Sequence, residues 1–83
     1  MANIIIYTTS YCPYCRRAKQ LLKKKGLQYT EIDVEHDPAK RGEMVRKSGR
    51  TTVPEIFING KHIGGCDDLY ELERQGKLDR LVA

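Results

Sequence analysis

The sequence contains no hydrophobic stretch long enough to cross a membrane. Its longest aliphatic run is the three isoleucines at positions 4–6. A transmembrane helix needs about 20 apolar residues, and the core of a secretory signal needs about 7–15. We therefore expect a cytoplasmic protein that associates with no membrane.

Linkers, internal repeats and low-complexity segments are also missing. The chain has 83 residues, 40% hydrophobic and 31% charged, which suits one core at roughly 100–200 residues per domain. We expect a single domain over residues 1–83, acting as a monomer. The net charge is only +4, and the densest basic run, residues 23–25, falls at a predicted helix end, where cations suit the helix dipole. Nucleic-acid binding is therefore not expected.

Cysteine is scarce and odd in number, at Cys12, Cys15 and Cys66. Three cysteines cannot all pair, and structural disulfides are rare in a reducing cytosol. This excludes a disulfide-stabilised scaffold. The cysteines are therefore expected to serve chemistry, to bind a metal, or to fill the core as small apolar side chains.

The first third of the chain is predicted to form a βαβ unit. Residues 3–8 contain three consecutive isoleucines followed by Tyr7, and apolar residues on consecutive positions are typical of a central strand. A helix over 13–25 begins at Pro13, which suits a first helical turn, and ends at Gly26. Residues 28–34 form the second strand, parallel to the first through a right-handed crossover.

The rest of the chain is predicted to add a helix, a β-hairpin and further helical turns. Asn59-Gly60 is a strong signal for a two-residue type I′ hairpin turn, and Cys66 or Asp67 is expected to cap the helix that follows. The result is an α/β fold, a four-stranded mixed sheet flanked by three or four helices. The predicted elements after the βαβ unit are 38–48, 55–58, 61–64, a helix ending at 75, and a short turn near 78–82.

Cys12 and Cys15 lie where the first strand gives way to the first helix. A helix N-terminus carries free N–H groups and about half a positive charge, so it favours a thiolate at Cys12. Cys15 lies one turn further along, close enough to attack a mixed disulfide formed at Cys12. We therefore expect Cys12 to be an exposed nucleophile and Cys15 the resolving thiol, with Tyr14 exposed beside them.

Two alternatives for the cysteines carry less weight. Cys66 and His62 would complete a Cys₃His zinc set, but 46 residues separate Cys15 from His62, and zinc knuckles use short loops. Buried structural cysteines fit poorly with the charges at Arg16 and Arg17.

Four motifs along the chain belong together. They are Tyr-x-x-x-x-Cys-Pro-Tyr-Cys at 7–15, Gly-Arg-Thr-Thr-Val-Pro at 49–54, Ile-Phe-Ile at 56–58 and Gly-Gly-Cys-Asp-Asp at 64–68. With these motifs the whole chain resembles the dithiol glutaredoxins, in particular their small bacterial type. The resemblance implies a thioredoxin fold and reduction of protein disulfides and glutathione mixed disulfides. Glutathione is the implied reducing co-substrate, with no tightly bound cofactor and no metal. The implied protein partners are glutathionylated or disulfide-bonded proteins.

The resemblance also implies a glutathione site. Val53 is held extended because it precedes a proline, and family members pair this backbone with the cysteinyl part of glutathione, across a cis Val53-Pro54 bond. An ordinary turn before a strand is the alternative. The N–H groups of the helix start at Cys66 and Asp67 would bind the γ-glutamyl carboxylate of glutathione, and the Asp67 side chain would bind the γ-glutamyl ammonium group. The alternative role for Asp67 is that of a plain helix cap. The implied glutathione contacts are Tyr14, Arg41, Thr52, Val53, Pro54, Gly65, Cys66 and Asp67.

One position departs from the family pattern. Thr9 stands where many relatives have a lysine that meets the glycyl carboxylate of glutathione, so Arg41 is expected to make that contact. Cys66 is expected to be semi-buried, and His36 and His62 to lie at the surface. Two rival functions are considered. The first is an electron donor reduced by thioredoxin reductase, but donors of that kind lack the Gly-Gly-Cys-Asp-Asp motif. The second is an iron–sulfur carrier, but carriers usually have Gly-Phe-Ser after their active-site cysteine.

Overall fold

The predicted order of elements is confirmed in the structure, a computed structural model that describes residues 2–83. The second strand is shorter than expected, because it is an edge strand that pairs only with the first. No helix among the described residues is long and apolar enough to span a membrane. The elements are β1 (Ile4–Thr8), α1 (Pro13–Lys24), β2 (Thr30–Asp33), α2 (Pro38–Ser48), β3 (Glu55–Ile58), β4 (Lys61–Gly64), α3 (Cys66–Arg74) and α4 (Leu78–Val82).

The four strands form one mixed sheet in the order β2-β1-β3-β4. β1 and β2 run parallel, as the βαβ unit requires, whereas β1–β3 and β3–β4 are antiparallel. Asn59 and Gly60 connect β3 to β4 with φ values of 53° and 82°. Two successive positive φ values are the signature of a type I′ turn, so the predicted hairpin is confirmed.

Side chains that alternate along the strands build a core on each face of the sheet. Ile4 and Ile6 of β1 pack with buried residues of α1, α3 and α4. Tyr7 belongs to a second cluster on the opposite face, which contains Met44 of α2 and Phe57 of β3. β1 is therefore central and covered on both faces, as its apolar sequence predicted.

The helix start that the sequence left open is that of α3. Gly65, rather than Cys66 or Asp67, is its N-cap residue, and the Asp68 carboxylate accepts a hydrogen bond from the Gly65 N–H at 2.9 Å. Gly64 precedes it with φ of 123°, and a Cβ at that position would overlap the Asp68 carboxylate. The expected capping role of Asp67 is therefore wrong, because the sharp turn at Gly64 brings Asp68 to the cap.

Candidate active site

Cys12 is the N-cap residue of α1, where the chain leaves β1 and turns into the helix. Its thiol donates to the Val53 carbonyl, with 3.7 Å between sulfur and oxygen. That contact covers the side chain, which is only 9% exposed, so the expectation of an exposed nucleophile is wrong. The first turn of α1 contains no acidic residue, and Arg16 and Arg17 are exposed there. The sulfur therefore lies at the positive end of the helix dipole, beside the free N–H groups of the first turn.

Cys15 is fully buried, and the Cys12 thiol and the Thr9 backbone are its near neighbours. Burial, together with the neighbouring Cys12, raises the pKa of Cys15 well above its ordinary value, although the Thr9 N–H opposes this. Cys15 therefore keeps its proton at neutral pH and can donate it toward Cys12. Both side chains are free thiols, one turn apart at the start of α1.

A groove of about 280 Å³ opens beside this pair. One wall is the loop at residues 52–54, whose Val53-Pro54 peptide bond is cis, as the resemblance implied. The other wall is the start of α3, where a Cβ on Gly65 would lie 3.4 Å from the Pro54 carbonyl oxygen. This close approach fixes the width of the groove. Its lining residues are Tyr14, Arg50, Thr52, Val53, Pro54, Gly65, Cys66, Asp67 and Asp68.

The two acidic residues at the start of α3 have different environments. Asp68 caps the helix and pairs with Arg50 at 3.3 Å, and the Gly65 N–H, together with Arg50, lowers its pKa. Asp67 has no hydrogen-bond or ion-pair partner among residues 2–83, and it is exposed at the groove. Its carboxylate is therefore available to a ligand, whereas that of Asp68 is already engaged.

Arg50 is a groove residue that the sequence analysis missed. It lies inside the 49–54 motif, but nothing in its local sequence indicates a partner eighteen positions away. Tyr14 follows the prediction, since its ring is 53% exposed at the mouth of the groove.

Three other residues lie differently from what the sequence suggested. Arg41 does not line the groove; its guanidinium donates to the Thr51 carbonyl at 3.2 Å, just outside. Cys66 is fully buried rather than semi-buried, and burial raises its pKa. His62 is not a surface residue, because it is half-buried and lies 2.6 Å from the buried carboxylate of Glu55.

The side chains of the considered zinc set do not come together. Within the part of the chain that the structure describes, the ligand atoms that lie within 4.8 Å of one another belong to Asp33, Glu35 and His36. These three are exposed, and their contacts are local. Glu35 accepts from the backbone N–H and hydroxyl of Ser10, and His36 pairs with Asp33. The cluster holds the loop before Cys12 in place.

A dithiol at a helix start, facing a groove on a βαβ-plus-hairpin sheet, defines a thiol–disulfide oxidoreductase of the thioredoxin fold. The glutaredoxin family model matches residues 4–63. The chain is 57% identical to glutaredoxin 3 of Escherichia coli over 82 residues, 99% of each protein. It therefore belongs to the glutaredoxin family, and its activity is glutathione-dependent thiol–disulfide oxidoreduction.

Solved structures agree with this assignment. A solution structure of glutaredoxin from Brucella melitensis superposes with a TM-score of 0.87 at 56% identity, covering 99% of this chain and 89% of that one. A crystal structure of a buckwheat glutaredoxin–glutathione complex superposes with a TM-score of 0.90 at 36% identity, covering 98% and 76%.

Proposed function

We propose that Cys12 is the attacking sulfur and Cys15 the resolving one, and that the groove beside them holds glutathione. The observation that carries this proposal is the contact between the Cys12 thiol and the Val53 carbonyl, which places the reactive sulfur against one wall of the groove. Residues 1–83 are proposed to act as one domain.

On a glutathionylated protein, the Cys12 thiolate attacks the sulfur of the glutathionyl group. A disulfide forms between Cys12 and glutathione, and the protein thiol leaves with the electron pair and takes up a proton. A second glutathione thiolate then attacks the glutathione sulfur of that intermediate, which regenerates Cys12 and releases oxidised glutathione. This path consumes one free glutathione, because the other half of the oxidised glutathione comes from the substrate, and it uses one cysteine of the protein.

On a protein disulfide, Cys12 attacks one of the two sulfurs and becomes joined to the partner. Cys15, once deprotonated, attacks Cys12, so the partner leaves as a dithiol and a Cys12–Cys15 disulfide remains. Two glutathione molecules then reduce that disulfide. The position of Cys15 one helical turn from Cys12 favours this step, because the attacking atom is already near its target.

Glutathione is proposed to lie along the groove as an added extended segment. The Val53 backbone would pair with its cysteinyl unit, and Tyr14, Thr52 and Pro54 would flank it. The N–H groups at the start of α3 would hold the γ-glutamyl carboxylate, and Asp67 would hold the ammonium group. The unengaged Asp67 carboxylate supports this orientation, and the buckwheat glutaredoxin–glutathione complex supports glutathione as the ligand.

Arg41 is proposed to meet the glycyl carboxylate from outside the groove. Its bond to the Thr51 carbonyl uses one of its five N–H groups, so others are free for an anion. Thr9 carries no charge that could meet the glycyl carboxylate. It is also only 3% exposed, and its hydroxyl has no partner among residues 2–83.

The expected result for Arg41→Ala is a KM about two- to fivefold higher for a cysteine–glutathione mixed disulfide, because an exposed charge contact is weak. Arg41→Lys should restore most of the loss. A substrate with its glycyl carboxylate esterified should bind equally to wild type and Arg41→Ala. If Arg41→Ala weakens the ester as much as the acid, the residue acts on the loop instead.

A coupled assay tests the function as a whole. The protein is supplied with glutathione, glutathione reductase, NADPH and a cysteine–glutathione mixed disulfide, and NADPH loss is followed. Turnover here, with none when thioredoxin reductase replaces the glutathione system, supports the proposal. Turnover with thioredoxin reductase alone, or a brown protein with visible absorbance bands and no turnover, would favour one of the two rival functions instead.

A further inference from the structure

Glu55 is the only acidic side chain among residues 2–83 that is fully buried. It opens β3, a strand whose four residues are all buried and whose other three are apolar. An unpaired carboxylate in such a place is costly, so its retention requires compensating hydrogen bonds. Both of its oxygens have a partner. Oε1 lies 2.6 Å from His62 Nε2, and Oε2 accepts from the Thr52 hydroxyl at 3.0 Å.

His62 makes one end of this link rigid. It lies on β4 directly across from Phe57, and the two rings are 5.1 Å apart. The Phe57 ring in turn packs edge-on against Tyr7 of β1 at 5.8 Å. The Glu55 carboxylate is therefore fixed from the sheet side by a packed row of aromatic rings that reaches the central strand.

Thr52 is the other end, and it belongs to the wall of the groove. Its bond to Glu55 is the only side-chain hydrogen bond that Thr52 makes within the described part of the chain. The next residue is Val53, whose carbonyl accepts from the Cys12 thiol. The orientation of the Val53 carbonyl therefore depends on the position of Thr52, and Glu55 fixes Thr52 through this hydrogen bond.

We propose that Glu55, anchored by His62, is a positioning residue that fixes Thr52 and Val53 and so pre-forms the glutathione groove. This inference rests on the proposed function, in which Val53 pairs with glutathione. Glu55 is buried and touches no substrate. It acts by reducing the freedom that the loop loses on binding, so its contribution belongs to KM rather than to the chemical step.

The experiment is a double-mutant cycle on a cysteine–glutathione mixed disulfide. Glu55→Leu and Thr52→Val each remove the link, and each should raise KM about three- to tenfold with kcat within about twofold. Because both substitutions break the same bond, the double variant should be no worse than either single one. Glu55→Gln keeps the size and an acceptor for Thr52, so it should restore a near wild-type KM.

Three outcomes overturn the proposal. If the effects of Glu55→Leu and Thr52→Val add, the Thr52 hydroxyl acts on the substrate independently of Glu55, and Glu55 does not position it. If Glu55→Leu leaves KM unchanged while Asp67→Ala raises it, the groove assignment holds and the positioning role fails. If neither variant changes KM, the groove itself is misassigned.

Thermal unfolding of each variant shows whether it is folded at the assay temperature. Should Glu55→Leu fail to fold, His62→Phe replaces it. This change removes the anchor and keeps an aromatic ring against Phe57. We expect His62→Phe to raise KM about three- to tenfold, like Glu55→Leu. Adding Thr52→Val to His62→Phe should raise KM no further. An unchanged KM in folded His62→Phe, or an additive effect of Thr52→Val, overturns the proposal.

Discussion

Cys15→Ser is expected to separate two activities that the wild-type protein combines. It should keep, or even raise, turnover of a glutathione mixed disulfide, because that path needs only Cys12. It should lose most of its reduction of large protein disulfides. A serine hydroxyl cannot attack sulfur at neutral pH, so the mixed disulfide between Cys12 and the protein partner is not resolved from within.

The gain on the small substrate has a physical cause. In the wild type Cys15 lies one helical turn from Cys12, so the intermediate with glutathione is open to internal attack, which ejects glutathione and forms a non-productive disulfide. Cys15→Ser removes that side reaction. Serine is close to cysteine in size, so it fits the buried position of Cys15 with little change in volume.

Cys12→Ser is the matched control, and it should lose both activities by several orders of magnitude. All three proteins are measured on both substrates in one glutathione buffer. If Cys15→Ser lost deglutathionylation as completely as Cys12→Ser, the one-cysteine path would be wrong for this chain. A donor that works through both cysteines without glutathione would then be the better assignment.

The elements of this fold were predictable because their signals are local. Asn59-Gly60 determines the hairpin turn through two positive φ values. Asp37 accepts from the Lys40 N–H ahead of a first-turn proline, which is a cap readable within four residues. The pairing of Cys12 with Cys15 at the start of α1 follows in the same way from their spacing and from Pro13.

The features that escaped prediction depend on contacts between distant residues. Cys12 is covered because a loop 41 positions away packs on it, and Arg50 finds Asp68 across the groove. The Glu55–His62 contact depends on the β3–β4 register, which shifts between Ile56 and Phe57. No local sequence pattern indicates these long-range contacts. His62 could therefore not be predicted as the partner of Glu55, the charged residue at the start of an apolar strand.

The two neighbouring aspartates at the start of α3 offer the second large effect. Asp67→Ala should raise KM for the cysteine–glutathione mixed disulfide about five- to thirtyfold, since a charge-assisted hydrogen bond to the ammonium group is lost. Its melting temperature should change little, because the Asp67 side chain makes no hydrogen bond or ion pair within residues 2–83 and alanine is a good helix former.

Asp68→Ala is the matched control, because it removes the same charge from the same helical turn. This variant should lose the cap on Gly65 and the pair with Arg50. A lost cap costs about 1 kcal/mol, which lowers the melting temperature of a domain this size by about 4–8 °C, and its effect on KM should be the smaller one.

The pair of variants therefore tests the division of roles rather than the presence of charge. Asp67→Ala should change binding with little change in stability, and Asp68→Ala should do the reverse. The measurements are KM in the coupled assay and the melting temperature of each protein without substrate. Equal rises in KM for the two variants would mean that the groove responds only to its net charge. An unchanged KM in Asp67→Ala would show that its free carboxylate does not meet the ammonium group, and glutathione would then have to lie in the groove in another orientation.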